Sequence, residues 1–193
     1  MWSSHNLWCK HLEYIQNFSL GSKSYQNEQN IQLKGHSQAF KIIHVTNLRS
    51  QKDHLTALKA IKQLVGDGIV LSYHLIGGYD KNSEYYKNLI NFIQKHHLEK
   101  YVFIYGSQTN IAGLLEQADM ALLSSVSEGL PVSLIEYAQA KLLLVVTDVG
   151  QCKDVVGDFG LVVNPSNNEE LVKAITYNYK HPEDASKNAE KLY

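Results

Sequence analysis

Two carboxylates, Glu128 and Glu136, bracket a Gly-Leu-Pro turn in the stretch Ser124-Ser-Val-Ser-Glu-Gly-Leu-Pro-Val-Ser-Leu-Ile-Glu136. The apolar run before it, Ala118-Asp-Met-Ala-Leu-Leu123, predicts a short buried strand. Pro131 stands where the first helical residue is expected, and Leu134, Ile135 and Ala138 then share one side of the helix. This order leaves the N–H groups of Gly129, Leu130, Val132 and Ser133 without helical acceptors, at the positive end of the helix dipole. Such a helix start is an anion site, and phosphate is its usual occupant. A carboxylate beside a phosphate would repel it, so Glu128 and Glu136 are better suited to hydroxyls on either side. An anion flanked by sugars is a nucleotide diphosphate sugar. A capped helix with surface acids has the same composition, because first-turn acids are common.

Further groups of use to an anion follow the first predicted strand, in Asn47-Leu-Arg49-Ser-Gln-Lys52. A guanidinium fork and an ammonium point charge at a strand end can clamp a diphosphate, although most Lys and Arg are simply solvated. Gly106-Ser107 closes the third predicted strand, where a glycine permits close backbone approach or a plain turn. Paired carboxylates also serve glycosidases, but those flank a glycosidic bond in an open cleft and need no anion-binding helix end. The nine histidines give no metal motif: His96 and His97 are adjacent and point to different sides of a helix. They read as surface or packing groups. Gly77-Gly78 falls short of a dinucleotide fingerprint.

The elements that must position these groups alternate. Strands are expected at 41–45, 69–76, 102–105, 118–123, 142–146 and 161–163, and helices at 53–65, 82–97, 111–117, from Pro131, and at 169–179. Apolar strands in strict alternation with helices imply a Rossmann-like, three-layer α/β/α domain with a parallel sheet. Ligands of such sheets bind beyond the carboxyl ends of the strands, here the loops after Val45, Ile76, Tyr105, Leu123 and Val146. A chain of 193 residues with 44% hydrophobic content is one domain with a real core. The net charge of -1 and the lack of a basic run argue against nucleic-acid binding. Cys9 and Cys152 make no disulfide framework, which points to a reducing cytosol. No apolar run has the length of a membrane span, and the N-terminus lacks signal-peptide features.

Glu128-Gly-Leu-Pro-Val-Ser-Leu-Ile-Glu136 resembles the Glu-x7-Glu signature of family 4 of the retaining, two-domain (GT-B) glycosyltransferases. Ser125 matches the family's serine before the motif, Thr147-Asp-Val-Gly150 its turn, and Phe159-Gly-Leu-Val-Val-Asn-Pro165 its Gly-Leu-Leu-Val-x-Pro segment. The likeness runs in order from Tyr14 to Lys180. It implies the C-terminal, donor-binding half of a GT-B enzyme. Such an enzyme moves a hexose from a UDP- or GDP-sugar to a glycan or lipid-linked acceptor with retention, in cell-surface polysaccharide synthesis. The implied location is the cytoplasm, at the inner face of the membrane. By the same resemblance Lys52 contacts the donor phosphates, Gly106-Ser107 grips the base, Glu136 holds the ribose diol, and Glu128 faces the donor sugar at its reacting carbon. Asn47 occupies the position of the family's Arg, and Arg49 is its nearest substitute. No metal and no cofactor besides the donor is implied.

Some positions depart from the family: Lys141 and Leu143 stand for Gly and Pro, Gln151 for a second Gly, and Asp154 for a frequent Glu. Tyr14-Ile-Gln-Asn-Phe18 is similar to the segment before the family's second domain. The expected division is therefore a linker remnant at 1–39, the donor-binding domain at 40–180, and a tail at 181–193. The acceptor-holding domain is expected on a separate polypeptide of a split enzyme, or lost by truncation. Two other classes share these features: a non-catalytic nucleotide-sugar-binding module, and a sugar-nucleotide epimerase of similar architecture.

Overall fold

A computed structural model of the protein describes residues 31–129 and 131–183. Leu130, the segment 1–30 (with Cys9 and Tyr14-Ile-Gln-Asn-Phe18) and the tail from 184 lie outside the described residues.

Apolar runs become strands and amphipathic runs become helices, in alternation. The strands are β1 (Phe40–Val45), β2 (Leu71–Ile76), β3 (Val102–Gly106), β4 (Met120–Leu123), β5 (Leu143–Thr147) and β6 (Gly160–Val163). The helices are α1 (His54–Gly66), α2 (Glu84–Lys95), α3 (Ile111–Leu115), α4 (Val132–Gln139), α5 (Cys152–Val156) and α6 (Asn168–Lys180). The six strands form one parallel sheet in the order β3-β2-β1-β4-β5-β6. Every residue of β2, β4 and β5 is buried, as a sheet covered on both faces requires.

Neighbouring β1 residues serve opposite layers, because side chains alternate across a strand. Ile42 joins the core under α1, α2 and α6, with Leu58, Leu89 and Ile175. Ile43 joins the core under α3, α4 and α5, with Leu114, Leu134 and Val156. The entering residues Ile31 and Leu33 pack on this second core. Gln117 holds their backbone, accepting from the Leu33 N–H and donating to the Ile31 carbonyl, both at 3.0 Å.

The order of the strands matters most at β1, which pairs with β2 on one side and β4 on the other. The chain winds outward in both directions from this pair, so the loops after β1 and β4 part and leave a crevice at the carboxyl edge.

Several expected boundaries move, each for a local reason. The helix after the Glu-Gly turn begins at Val132; Pro131 precedes it as the cap, with extended backbone (φ −75, ψ 115). Its buried face is Leu134 and Tyr137, while Ile135 and Ala138 are only half-buried. β2 starts at Leu71 because the Ile69 N–H still closes α1 on the Leu64 carbonyl. β4 starts at Met120 because the Ala118 N–H closes α3 on the Leu115 carbonyl. The single-turn helix α5, bounded by Gly150 and Gly157, is too short to show a periodicity.

Candidate functional site

The site is assembled by the two loops that part at the crevice. After β1 the chain makes a short turn of 3-10 helix, Ser50–Lys52, and Asp53 reverses it in the left-handed region (φ 43). Asp53 then caps α1: its carboxylate accepts from the Thr56 N–H at 3.3 Å, the Thr56 hydroxyl at 2.8 Å and the Ser166 hydroxyl at 3.0 Å. An aspartate is among the few residues that tolerate this conformation, because its short polar chain bonds locally.

The loop after β4 is bound to that turn and to β5. Ser124 Oγ donates to the Lys52 carbonyl at 2.9 Å, and the Val126 N–H donates to the Gln51 carbonyl at 2.8 Å. From below, Thr147 Oγ1 donates to the Ser125 carbonyl at 2.6 Å. The Gln151 N–H holds the Gly129 carbonyl at 3.1 Å. Lys52 and Glu128 meet as a result. The Lys52 Nζ lies 2.5 Å from Glu128 Oε1, which also accepts from Ser125 Oγ at 2.6 Å. The two side chains are 22% and 8% exposed, so the pair is largely withdrawn from water. An ion pair in such surroundings is held by its full set of hydrogen bonds rather than by charge alone.

A cavity of about 650 Å³ opens over this pair. Asn47, Arg49, Lys52, Ser107, Glu128 and Gly129 all line it. These residues come from loops after β1, β3 and β4, and the cavity gathers most of the candidates singled out from the sequence. Arg49 is exposed at its edge. Asn47 commits its side-chain oxygen to the Gly78 N–H at 2.8 Å, so it ties the loop after β2 to the loop after β1. Gly106, at φ +73, accepts from the Gly77 N–H at 2.9 Å and continues the same row of bonded loops. Gly77 is a glycine by necessity: at φ +151 a Cβ would stand 2.1 Å from the Thr46 carbonyl oxygen.

Glu136 does not line that cavity. It lines an adjoining one of about 460 Å³ between α3 and α4, and Ile111 belongs to the walls of both. Glu136 is half-buried, and burial raises its carboxyl above the usual carboxylate range. At the start of α4 the Leu134 N–H is already bonded to the Pro131 carbonyl at 3.1 Å. The N–H groups of Val132 and Ser133 precede any intrahelical acceptor.

The support of the site lies in residues that the sequence did not mark. Tyr137 reaches from α4 to the end of β1, where its hydroxyl accepts from the Val45 N–H at 2.6 Å. Two buried imidazoles, His44 and His54, stack at 4.7 Å beneath the Lys52 turn. Their Nδ1 atoms lie 2.8 and 3.0 Å from the hydroxyls of Tyr73 and Tyr85. Burial lowers both: His44 falls well below the ordinary value, helped by His54 and Lys52, and His54 falls to about 3, helped by Lys52. His74 lies on the other face between Tyr105 and Ser72, and burial lowers it to about 4. For His44 and His74, a histidine inside a predicted apolar strand was the available signal; His54 and Tyr137 lie in predicted helices and gave none.

An ammonium and a guanidinium on the wall of one cavity suit a polyanion. Glu128 in the same wall suits a hydroxyl group, while Val132 and Ser133 at the start of α4 are not among the residues that line it. Among the described residues, no three or more His, Cys, Asp or Glu side chains gather so as to hold a metal ion. Among the same residues, no helix is long and apolar enough to cross a membrane.

A sequence model of the family described as "Glycosyl transferases group 1" matches residues 26–192. The chain is 27% identical over 157 residues to the N-acetyl-alpha-D-glucosaminyl L-malate synthase of Bacillus anthracis, a match covering 78% of this chain and 40% of that protein. A glycosyltransferase of Rickettsia africae superposes with a TM-score of 0.76 at 22% identity, over 81% of this chain and 42% of the other. The Anabaena protein HepE, solved in complex with UDP, superposes with a TM-score of 0.74 at 20% identity, over 81% and 44% of the two chains. This chain thus spans roughly two fifths of the length of these similar proteins, and the solved structures share its parallel-sheet fold.

Proposed function

This chain belongs to the group 1 glycosyl transferases, and from that premise we propose that residues 40–180 are the donor-binding domain of a GT-B enzyme of family 4. The reaction is transfer of a hexose from a UDP- or GDP-sugar to a glycan or lipid-linked acceptor, with retention. The setting is cell-surface polysaccharide synthesis at the cytoplasmic side of the membrane, with the acceptor held by a preceding domain or a separate polypeptide. The observation that carries the reading is the 2.5 Å Lys52–Glu128 pair at the point where the strand order reverses. A cation for the leaving diphosphate and an acid for the sugar are thereby adjacent.

In this reading Lys52 and Arg49 take the diphosphate, and the Val132 and Ser133 N–H groups add the helix start. Gly129 borders the same cavity. Charge that builds on the diphosphate as the sugar bond breaks is met by Lys52, Arg49 and the helix dipole, so these groups take the part a metal ion plays elsewhere. Glu128 stays against the hexose and supports positive charge at the reacting carbon. Glu136 accepts from the ribose hydroxyls, and the Gly106-Ser107 backbone borders the base. Arg49 takes the place of the family's Arg, because Asn47 at that position is bonded to Gly78. The HepE complex supports UDP as the nucleotide portion.

Calorimetry with UDP and GDP tests the site. Wild-type protein should bind one of them, and Lys52→Ala and Glu136→Ala should each weaken binding at least about tenfold, the loss of one charged hydrogen bond. Unchanged affinity in both variants would refute the assignment. Incubation with UDP-hexoses and lipid-linked glycans tests transfer itself, and the anomeric configuration of the product tests retention.

A further inference from the structure

A smaller cavity of about 350 Å³ opens on the other side of the Asn47–Arg49 stretch, and both of those residues line it as well as the larger cavity. Gly78, Tyr79, Asp80 and Tyr85 supply the rest of the wall that matters here. Its size is at the low end of small-molecule sites, about 300–1,000 Å³, and suits a single ring better than an extended ligand.

The aromatic walls are held in place before anything binds. The Tyr79 ring stacks on Tyr86 at 4.6 Å with planes 4° apart. Tyr85 is anchored through its hydroxyl, which accepts from the His54 N–H at 2.9 Å and lies 3.0 Å from His54 Nδ1. Rings already ordered cost little conformational entropy on binding. The polar groups are only partly committed. One oxygen of Asp80 accepts from the Asn82 N–H at 2.8 Å, which leaves the other as an acceptor. Asn47 uses its oxygen on Gly78, which leaves its amide NH₂ as a donor beside the exposed Arg49.

Charge narrows the occupant. Asp80 opposes an anion and Arg49 opposes a cation, so the favoured ligand is neutral. It must also meet a carboxylate acceptor and two donors with hydroxyls while laying an apolar face on tyrosine. A hexopyranose has that combination: equatorial hydroxyls at its rim and C–H groups on its faces. We infer that the Tyr79–Asp80 cavity is a saccharide subsite that holds a neutral sugar ring beside the donor cavity.

Saturation-transfer difference NMR with millimolar methyl α-D-mannopyranoside and methyl β-D-glucopyranoside tests it, with calorimetric UDP titration alongside. Wild-type protein should give a signal from at least one glycoside, undiminished by saturating UDP. Asp80→Asn, on an exposed residue, and Tyr79→Ala should each cut that binding at least fivefold while UDP affinity stays within twofold. A signal that survives both substitutions, is abolished by UDP, or is absent for both glycosides overturns the subsite. Asp80-dependent glycoside binding in protein that binds no UDP upholds the sugar site, which stands apart from the donor reading.

Discussion

A Cβ on Gly150 would stand 2.2 Å from the carbonyl oxygen of Glu128, so the turn after β5 is the floor on which the Glu128–Gly129 loop rests. Gly150 also has φ +55, a conformation L side chains avoid. Gly150→Ala must lift the loop and strain the turn together. Urea denaturation should show a loss of about 1–3 kcal/mol, and UDP affinity should fall with it. An unchanged midpoint and affinity would mean that the loop does not need this floor.

The Lys52–Glu128 pair predicts a coupling. Lys52→Met alone leaves Glu128 withdrawn from water with Ser125 as its remaining side-chain partner. Lys52→Met with Glu128→Gln removes both charges and should be more stable than the sum of the single variants predicts. A double-mutant cycle on unfolding free energy should give a coupling of about 1–3 kcal/mol. Additive variants would mark the pair as ordinary surface charge.

Glu136 predicts opposite effects on stability and binding. Burial raises its folded carboxyl pKa, so its contribution to stability is present below the unfolded value and lost as pH rises through the folded one. At neutral pH Glu136→Gln should therefore leave the thermal midpoint unchanged or raised. UDP affinity should fall about tenfold, since an ionised acceptor is replaced by a neutral one. A lower midpoint with unchanged affinity would make Glu136 a structural residue.

Lys141 is a correctable strain. It ends α4 in the left-handed region at φ 59, with the Lys141 N–H on the Ala138 carbonyl at 3.0 Å and the Leu142 N–H on the Tyr137 carbonyl at 3.2 Å. This is the helix ending for which glycine is favoured. The bend that a family glycine makes is thus kept with a lysine. Lys141→Gly should stabilise the domain by about 0.5–1 kcal/mol, the side-chain penalty less the glycine's chain entropy. Thermal unfolding measures it, and a lower midpoint would show that the Lys141 side chain contributes more than its backbone costs.

Acid should unfold the protein through its histidines. Burial, first of all, depresses His54 to about 3 and His74 to about 4, and it holds His44 well below the ordinary value. The unfolded chain binds these protons near pH 6.5, about the value of a free imidazole. The stability of the neutral, buried forms is therefore complete above that pH and is lost as pH falls from about 6.5 toward about 4, each histidine adding a slope near 1.4 kcal/mol per unit. Urea midpoints across that range should drop steeply, and His74→Gln should flatten the curve. A flat profile from pH 7 to 4 would contradict the burial of these imidazoles.

Much of this architecture is local and therefore legible in sequence. Apolar runs such as Leu71–Ile76 and the amphipathic stretch His54–Gly66 announce their own elements, because burial on one or both faces selects the periodicity directly. The helix start after the Glu-Gly turn and the candidacy of Lys52 and Glu128 were readable for the same reason: residue type and short-range spacing carry the chemistry. The contacts that turn candidates into a site are not local. Lys52 and Glu128 are 76 positions apart, and Tyr137 meets Val45 across 92. Only the order β3-β2-β1-β4-β5-β6 puts β1 beside β4 and brings those partners together. Tertiary packing likewise decided that Glu136 faces an adjoining cavity, that Asn47 binds Gly78, and that three histidines lie sealed in the core. A periodic pattern tells a strand which faces are apolar, but it names no neighbour. The neighbour is chosen when the whole sheet closes, and with it the charge, burial and reach of every group at its carboxyl edge.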